Sequence, residues 1–318
     1  MKGCRFSSLA LVCWLVAGMA SATNATASFQ SSSQPLACSA KTREAATSLV
    51  DIEQVVMCAC ASRGLLIVGE IHGSNETPAL VSALLKKTLV TRPVRLGLEI
   101  PVTEQASIEN YLRSSGEPAD RTKLLTGPFW NQMLDGRSSE AMLQLIESVH
   151  TLKVAGADVD IFAMEPDYGS QMDAVKRDGF MSVKESGMAQ SIRTAISQGK
   201  SARLVIALMG NFHARDSAVG LFKGSPAGSV TERLSSLSPY VVLPFARSEA
   251  TWNCTDKGCG IHAATSTQAP TGTLPTFVTD VREPSGPTVV TLWLATLTAS
   301  LPAKPEDAPA PKSSNKRS

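Results

Sequence analysis

Two of the four histidines in this chain end motifs of one pattern. Leu65 to Gly73 reads LLIVGEIHG, and Val205 to Ala214 reads VIALMGNFHA. In each, an apolar run stops at a glycine and a histidine follows three positions on. Imidazole titrates near neutral pH, so a histidine at the mouth of a buried strand is suited to moving protons or holding a metal. Glycine permits the sharp turn or close backbone approach a chain needs as it leaves a sheet. Glu70 stands two residues before His72, where a carboxylate can orient the imidazole and stabilise its charged form. Two more apolar runs end in acids, Glu99 in LGLEIP and Glu165 in FAMEPD. Arg215 follows His213 by two residues and is placed to face an anionic intermediate. Arg137, in DGRSSE, is a candidate clamp for a carboxylate or phosphate.

Plainer roles compete for some of these residues. Glu99 and Glu165 suit helix starts, where an acid favours the dipole, and Glu76 suits one better still. Ser138 or Ser139 suits a helix cap. His150 falls beside an apolar helical face and His262 in a segment after Cys259; both are expected to be structural or exposed.

The elements that must carry the reactive residues follow from periodicity. Strands are expected at Leu65–Val68, Val94–Leu98, Val159–Met164, Leu204–Met209, Tyr240–Phe245 and Thr288–Leu294. The first and fourth are continuously apolar, as when both sheet faces are covered. Helical stripes run from Thr77 to Val90, with Pro78 in the first turn, from Ser138 to Ala155, and from Lys184 to Gln198. Gly220 to Gly228 reads as a loop, and Ala250 to Pro275 as loop-like. The alternation predicts an α/β fold: a largely parallel sheet flanked by helices, one domain with room for helical insertions. In such a sheet, ligands bind beyond the carboxyl ends of the strands. Strand ends at Glu70, Glu99, Glu165 and Asn211 therefore deliver their acids and histidines to one rim.

The composition agrees. Of 318 residues, 43% are apolar and 18% charged, which suits a globular chain with a sizeable core. A net charge of +2 with no basic, aromatic-laced stripe argues against a nucleic-acid partner. Lys2, Arg5 and the apolar run Leu9 to Ala20, ending in Ala20-Ser21-Ala22, predict an export signal over residues 1–22. The alternative is an uncleaved anchor, though the run is short for a span. Val12 before Cys13 matches a lipid-attachment site poorly. Residues 23–37 read as a flexible leader, 38–301 as the domain, and 302–318 as a disordered tail. No later run is long and apolar enough to span a bilayer, and export implies a periplasmic or secreted protein. Signal removal leaves Cys38, Cys58, Cys60, Cys254 and Cys259 in an oxidising compartment. Cys254 and Cys259 are expected to close a small loop. Cys38 is expected to pair with Cys58 or Cys60, leaving one thiol over. Zinc ligation by these cysteines lacks a second close pair.

VGEIHGSNE, LGLEIP, DGRSSEAM, FAMEPD, SGMAQSI and MGNFHAR together resemble the superfamily that joins erythromycin esterase-like hydrolases, ChaN-like haem-binding proteins and the TraB/Tiki proteins. The likeness runs from about Leu65 to Arg215. In the esterase-like branch it implies that Glu70, His72 and His213 activate water, with Glu99 in support. The Tiki-like branch pairs Gly-x-x-His motifs in a metal-dependent peptidase, and Gly69 to His72 and Gly210 to His213 fit that pattern. ChaN-like members imply haem binding. Esterase-like members usually place two residues between Glu and His; here only Ile71 intervenes, closer to the ChaN-like spacing.

The leading expectation is hydrolysis of an ester or amide, in a small molecule or peptide, by activated water. His72 or His213 is the base, Glu70 or Glu99 its support, and Arg137, Arg215 and Glu165 bind the substrate. No Gly-x-Ser-x-Gly elbow stands at a strand end, which argues against a covalent serine mechanism. A variant places a divalent metal on His72, His213 and Glu70 or Glu165. The rival is a haem- or iron-binding protein without catalysis, with a histidine or Tyr111, Tyr168 or Tyr240 as ligand.

Overall fold

The computed structural model describes residues 48–132, 135–198, 203–216, 228–256, 258–281 and 286–304. The expected signal, leader and Cys38 lie outside these residues, as do most of the Gly220–Gly228 segment and everything beyond residue 304.

Helix α1 (Leu49–Cys60) leads into strand β1 (Leu65–Glu70), followed by α2 (Glu76–Thr88) and β2 (Val94–Pro101). Short helices α3 (Gln105–Arg113), α4 (Pro118–Leu124) and α5 (Pro128–Gln132) precede the longer α6 (Glu140–Val154) and β3 (Val159–Glu165). Next come α7 (Met172–Asp178), α8 (Phe180–Ser197), β4 (Leu204–Gly210), α9 (Asn211–Ala214) and α10 (Val230–Arg233). The last part is strands: β5 (Tyr240–Thr255), β6 (Gly258–Thr265), β7 (Thr276–Val281) and β8 (Thr288–Leu297).

All eight strands join one sheet in the order β3-β2-β4-β1-β5-β8-β7, with β6 paired to β5. Every neighbouring pair from β3 through β8 is parallel; β7 runs antiparallel to β8, and β6 to β5. The expected α/β class and largely parallel sheet are therefore observed. Side chains alternate across the pleat, so β1 feeds two cores at once. Leu66 and Val68 pack with α1, α2 and α6 through Val56, Leu84 and Ile146. Leu65 and Ile67 pack with α8 through Met188 and Ile192. That double burial is why the run is apolar without a break. The insertions expected between strands are α3, α4 and α5. Among the described residues, no helix is long and apolar enough to cross a membrane.

Two expectations are corrected. Ala250 to Pro275 is not all loop: β5 runs on to Thr255, and β6 returns along it as a hairpin. The sequence hides this because β6 is a half-solvated edge whose mostly small residues bury no apolar stripe. Pro302 and Ala303, expected in a disordered tail, are instead fastened to the start of α6. Pro302 bridges to Ser139, Ala303 is buried, and its N–H donates to Ser138 O. This segment caps α6 from outside: Leu301 O accepts from the Glu140 N–H and Ser300 Oγ from the Ala141 N–H. The side-chain cap of α6 is Ser139, which accepts from the Met142 N–H at 3.3 Å.

Cys254 and Cys259 face each other across the β5–β6 hairpin and are disulfide-bonded, as expected. Cys58 is disulfide-bonded as well, and among the described residues Cys60 is the buried free thiol.

Candidate active site

The carboxyl ends of β1, β2, β3 and β4 meet at one edge of the sheet. Glu70 ends β1 and pairs in register with Gly210, the last residue of β4. This register puts the two glycine–histidine motifs side by side. Each glycine makes room for the other motif. A Cβ on Gly69 would come within 2.0 Å of Asn211 Oδ1, and one on Gly210 within 2.7 Å of His72 Nε2.

The imidazoles are held the same way. His72 Nδ1 is 2.6 Å from Glu70 Oε1, and His213 Nδ1 is 2.8 Å from Glu185 Oε1. A carboxylate at Nδ1 keeps the proton there, so a neutral ring presents its lone pair at Nε2. Both Nε2 atoms turn towards Glu99. His72 Nε2 lies 3.7 Å from Glu99 Oε2, and His213 Nε2 lies 3.4 Å from Glu99 Oε1. The Gly210 N–H donates to Oε2 at 2.7 Å.

Behind Glu99 stands a buried ion network. Lys184 Nζ is 2.7 Å from Glu99 and 3.2 Å from Glu165. Arg137 reaches Glu99 at 3.4 Å, Asp135 at 2.8 Å, and Glu165 in its closest contact. The Tyr168 hydroxyl donates to Glu165 at 2.9 Å. Burying Glu99 alone would favour its neutral form. His72, His213, Lys184 and Arg137 outweigh that and hold the carboxyl far below its usual range. Burial likewise disfavours a charged His72, but Glu70, Glu99 and Asp135 prevail and raise its pKa above the ordinary value. For Arg137 burial is again overcome, here by Glu99, Asp135 and Glu165, so it stays firmly charged. Burial and the neighbouring Glu165 push the Tyr168 phenol up, so it remains a donor.

An open cleft of 570 Å³ lies over this floor. Glu70, His72, Glu99 and His213 line it, so these four expected residues are brought together. Asp135, Lys184 and Asn211 line it too. Three expected substrate contacts are corrected. Arg137 is spent on Glu99, Asp135 and Glu165, and Glu165 on Arg137, Lys184 and the Tyr168 hydroxyl, beneath the floor. Arg215 is 2% exposed, and its guanidinium lies 3.6 Å from the centre of the Phe212 ring. The expected metal set is corrected also. Glu70 grips the Nδ1 side of His72, away from His213, so the three do not converge. Among the described residues, no group of three His, Cys, Asp or Glu is placed to hold a metal ion. Glu165 offers no better third ligand, since Arg137 and Lys184 already hold it.

Glu185 and Lys184 escaped the sequence reading. They sit in α8, where only the apolar stripe was informative, and the adjacent Lys-Glu pair reads as exposed until the fold buries it. His150 and His262 are structural: they bond Ser114 O at 3.0 Å and Asn253 O at 3.2 Å.

The loop after His72 is tied from two directions. Gly73 O accepts from the Trp252 N–H at 3.1 Å and from the Ser300 N–H at 2.8 Å. The first tie comes from the disulfide-closed hairpin and the second from the chain just after β8.

No family model and no curated protein matches this chain by sequence. Solved structures do resemble it. A protein from Bacillus cereus superposes with a TM-score of 0.56 at 10% identity, over 83% of this chain and 95% of that one. A succinoglycan biosynthesis protein gives 0.50 at 10% identity, over 81% and 94%. An erythromycin esterase in its open conformation gives 0.50 at 12% identity, over 69% and 80%. At these identities the likeness establishes a shared fold, and it is the fold the sequence resemblance implies.

Proposed function

We propose that this chain is an exported hydrolase that cleaves an ester or amide with water activated by paired Glu–His groups. One observation carries the reading: two imidazoles, each gripped at Nδ1 by its own glutamate, face the two oxygens of one carboxylate at the floor of a cleft.

Each imidazole takes one role. His72 tends to keep its proton, because Glu70, Glu99 and Asp135 raise its pKa; it is the general acid. His213 presents Nε2 from the other side and, in its unprotonated form, is the general base. Water adds its oxygen to the carbonyl carbon while His213 takes the proton. The carbonyl electron pair moves to oxygen, and Lys184, the lysine lining the cleft, faces the developing negative charge. As the intermediate collapses, the carbon–oxygen or carbon–nitrogen bond breaks and the leaving atom takes the His72 proton. A proton passing from His213 to His72 through water resets both rings. Glu99 remains ionised throughout and holds the rings apart.

The disulfide Cys254–Cys259 supports an oxidising compartment. The test is turnover of simple p-nitrophenyl esters and peptide amides by the purified chain, with His72→Asn and His213→Asn as controls of unchanged circular dichroism. Loss of turnover in both supports the reading. Full turnover in either, or a sharp Soret band on adding haem that His72→Asn abolishes with no turnover at all, overturns it in favour of binding alone.

A further inference from the structure

The cleft has two chemically different ends. Its floor is the charged constellation. Its wall is Ile71, Met181, Phe212 and Phe245, from four separate segments of the chain. Phe212 is 44% exposed. It is held upright there, since the buried Arg215 guanidinium stacks under its face and His213 meets it edge-on at 5.4 Å. Phe245 is backed by Trp293 at 5.5 Å. Rigid aromatic rings beside a polar floor are the usual make-up of a small-molecule subsite.

The floor also has a sign. Among the residues that line it, Glu70, Glu99 and Asp135 supply three carboxylates, against the single cation Lys184. Negative charge is in surplus while both imidazoles are neutral, and still so when His72 is protonated. A cleft with low-dielectric walls focuses that field on whatever enters.

We infer that the substrate is an ester or amide with a bulky apolar group on one side of the scissile carbonyl and no negative charge, so a neutral or cationic amphiphile. This rests on the hydrolytic reading above, and it assigns Phe212, Met181, Phe245 and Ile71 as the apolar subsite. The carbonyl lies over His72, His213 and Lys184, and the apolar group lies along the wall towards Phe212.

The experiment separates recognition from chemistry. Binding of octanamide, octylamine and octanoate to the intact protein is measured by calorimetry, with propanamide as the short control. Octanamide and octylamine are expected to bind at least tenfold more tightly than octanoate. Octanamide should exceed propanamide by about fourfold for each methylene that reaches the wall. Phe212→Ala and Met181→Ala should each cut the long-over-short ratio by about tenfold, the scale of one lost apolar side chain. In parallel, the ratio of kcat/KM for p-nitrophenyl octanoate over acetate is followed in the same proteins. Octanoate binding as well as octanamide, or a length ratio untouched by both substitutions, overturns the assignment. Ordered binding without any turnover retains the subsite and removes the hydrolase. Turnover without length or charge preference does the reverse.

Discussion

His72 and His213 address opposite oxygens of one carboxylate. Nε2 of the first lies 3.7 Å from Glu99 Oε2 and Nε2 of the second 3.4 Å from Glu99 Oε1. Their motifs are more than a hundred residues apart in the chain, yet the parallel pairing of β1 with β4 makes them neighbours. Most of what can be tested follows from this shared acid.

Replacing Glu99 with Gln leaves Lys184 and Arg137 buried beside a neutral amide. The loss is expected to be about 3–5 kcal/mol, the usual penalty for breaking a buried ion network from one side. Urea unfolding measures it. A loss below about 1 kcal/mol, the scale of exposed pairs, would refute the account of the floor.

Stability should fall on both sides of a plateau. His72 has its pKa raised on folding, so its contribution is complete below the unfolded value of 6.5 and disappears as pH rises through the higher folded value. Glu99 has its pKa lowered, so its contribution is complete above 4.5 and disappears as pH falls towards the folded value. The melting temperature is therefore expected to be highest between those two reference values. In His72→Asn the alkaline decline should flatten while the acid limb persists. An unchanged alkaline limb would mean that another group titrates there.

Glu70→Gln and Glu185→Gln test the orienting carboxylates. Each should lower kcat on the order of 10²-fold with KM little changed, because the imidazole loses its fixed tautomer, not its place. Conservative replacement by Asp should recover part of the rate. Equal and small effects on kcat and KM would speak for a merely structural role.

Gly210→Ala puts a methyl where His72 Nε2 now sits, at 2.7 Å. The backbone at Gly210 is ordinary, with φ of −53°, so no conformational strain is added. The ring must move, and activity should drop about tenfold or more for a displacement of a few tenths of an ångström. Unfolding free energy should change by no more than about 1–3 kcal/mol, the range for small overpacking. Wild-type activity in this variant would show that the ring has no fixed working position.

Cys60 is 0% exposed, and burial pushes its thiol up to about 12. It should resist a thiol reagent at pH 8 in the native protein and react once the protein is unfolded. Rapid native labelling at Cys60, located by peptide mapping, would contradict the described packing of α1.

Much of this was legible in the amino-acid order. The six parallel strands announced themselves as apolar runs, and Glu70, His72, Glu99 and His213 stood at their ends, where topology must gather them. The rest depended on facts outside local pattern. Lys184 and Glu185 look like surface charges of α8 until the sheet covers that face. Arg137, Glu165 and Arg215 have the right types for substrate contacts, but three-dimensional pairing consumes them, and spacing does not reveal which cation meets which acid. The β5–β6 hairpin lacks alternation because its outer strand buries nothing. Its existence follows from pairing with β5 and from the disulfide at its tip.

The two ties on Gly73 set an order of events. A ribosome delivers Glu70 and His72 well before Trp252, and Trp252 before Ser300. Contacts of such long sequence separation close late. The loop beside the reactive ring thus takes its final shape only when residues near 300 arrive. A chain that ends before Ser300 lacks one of the two fastenings of this loop.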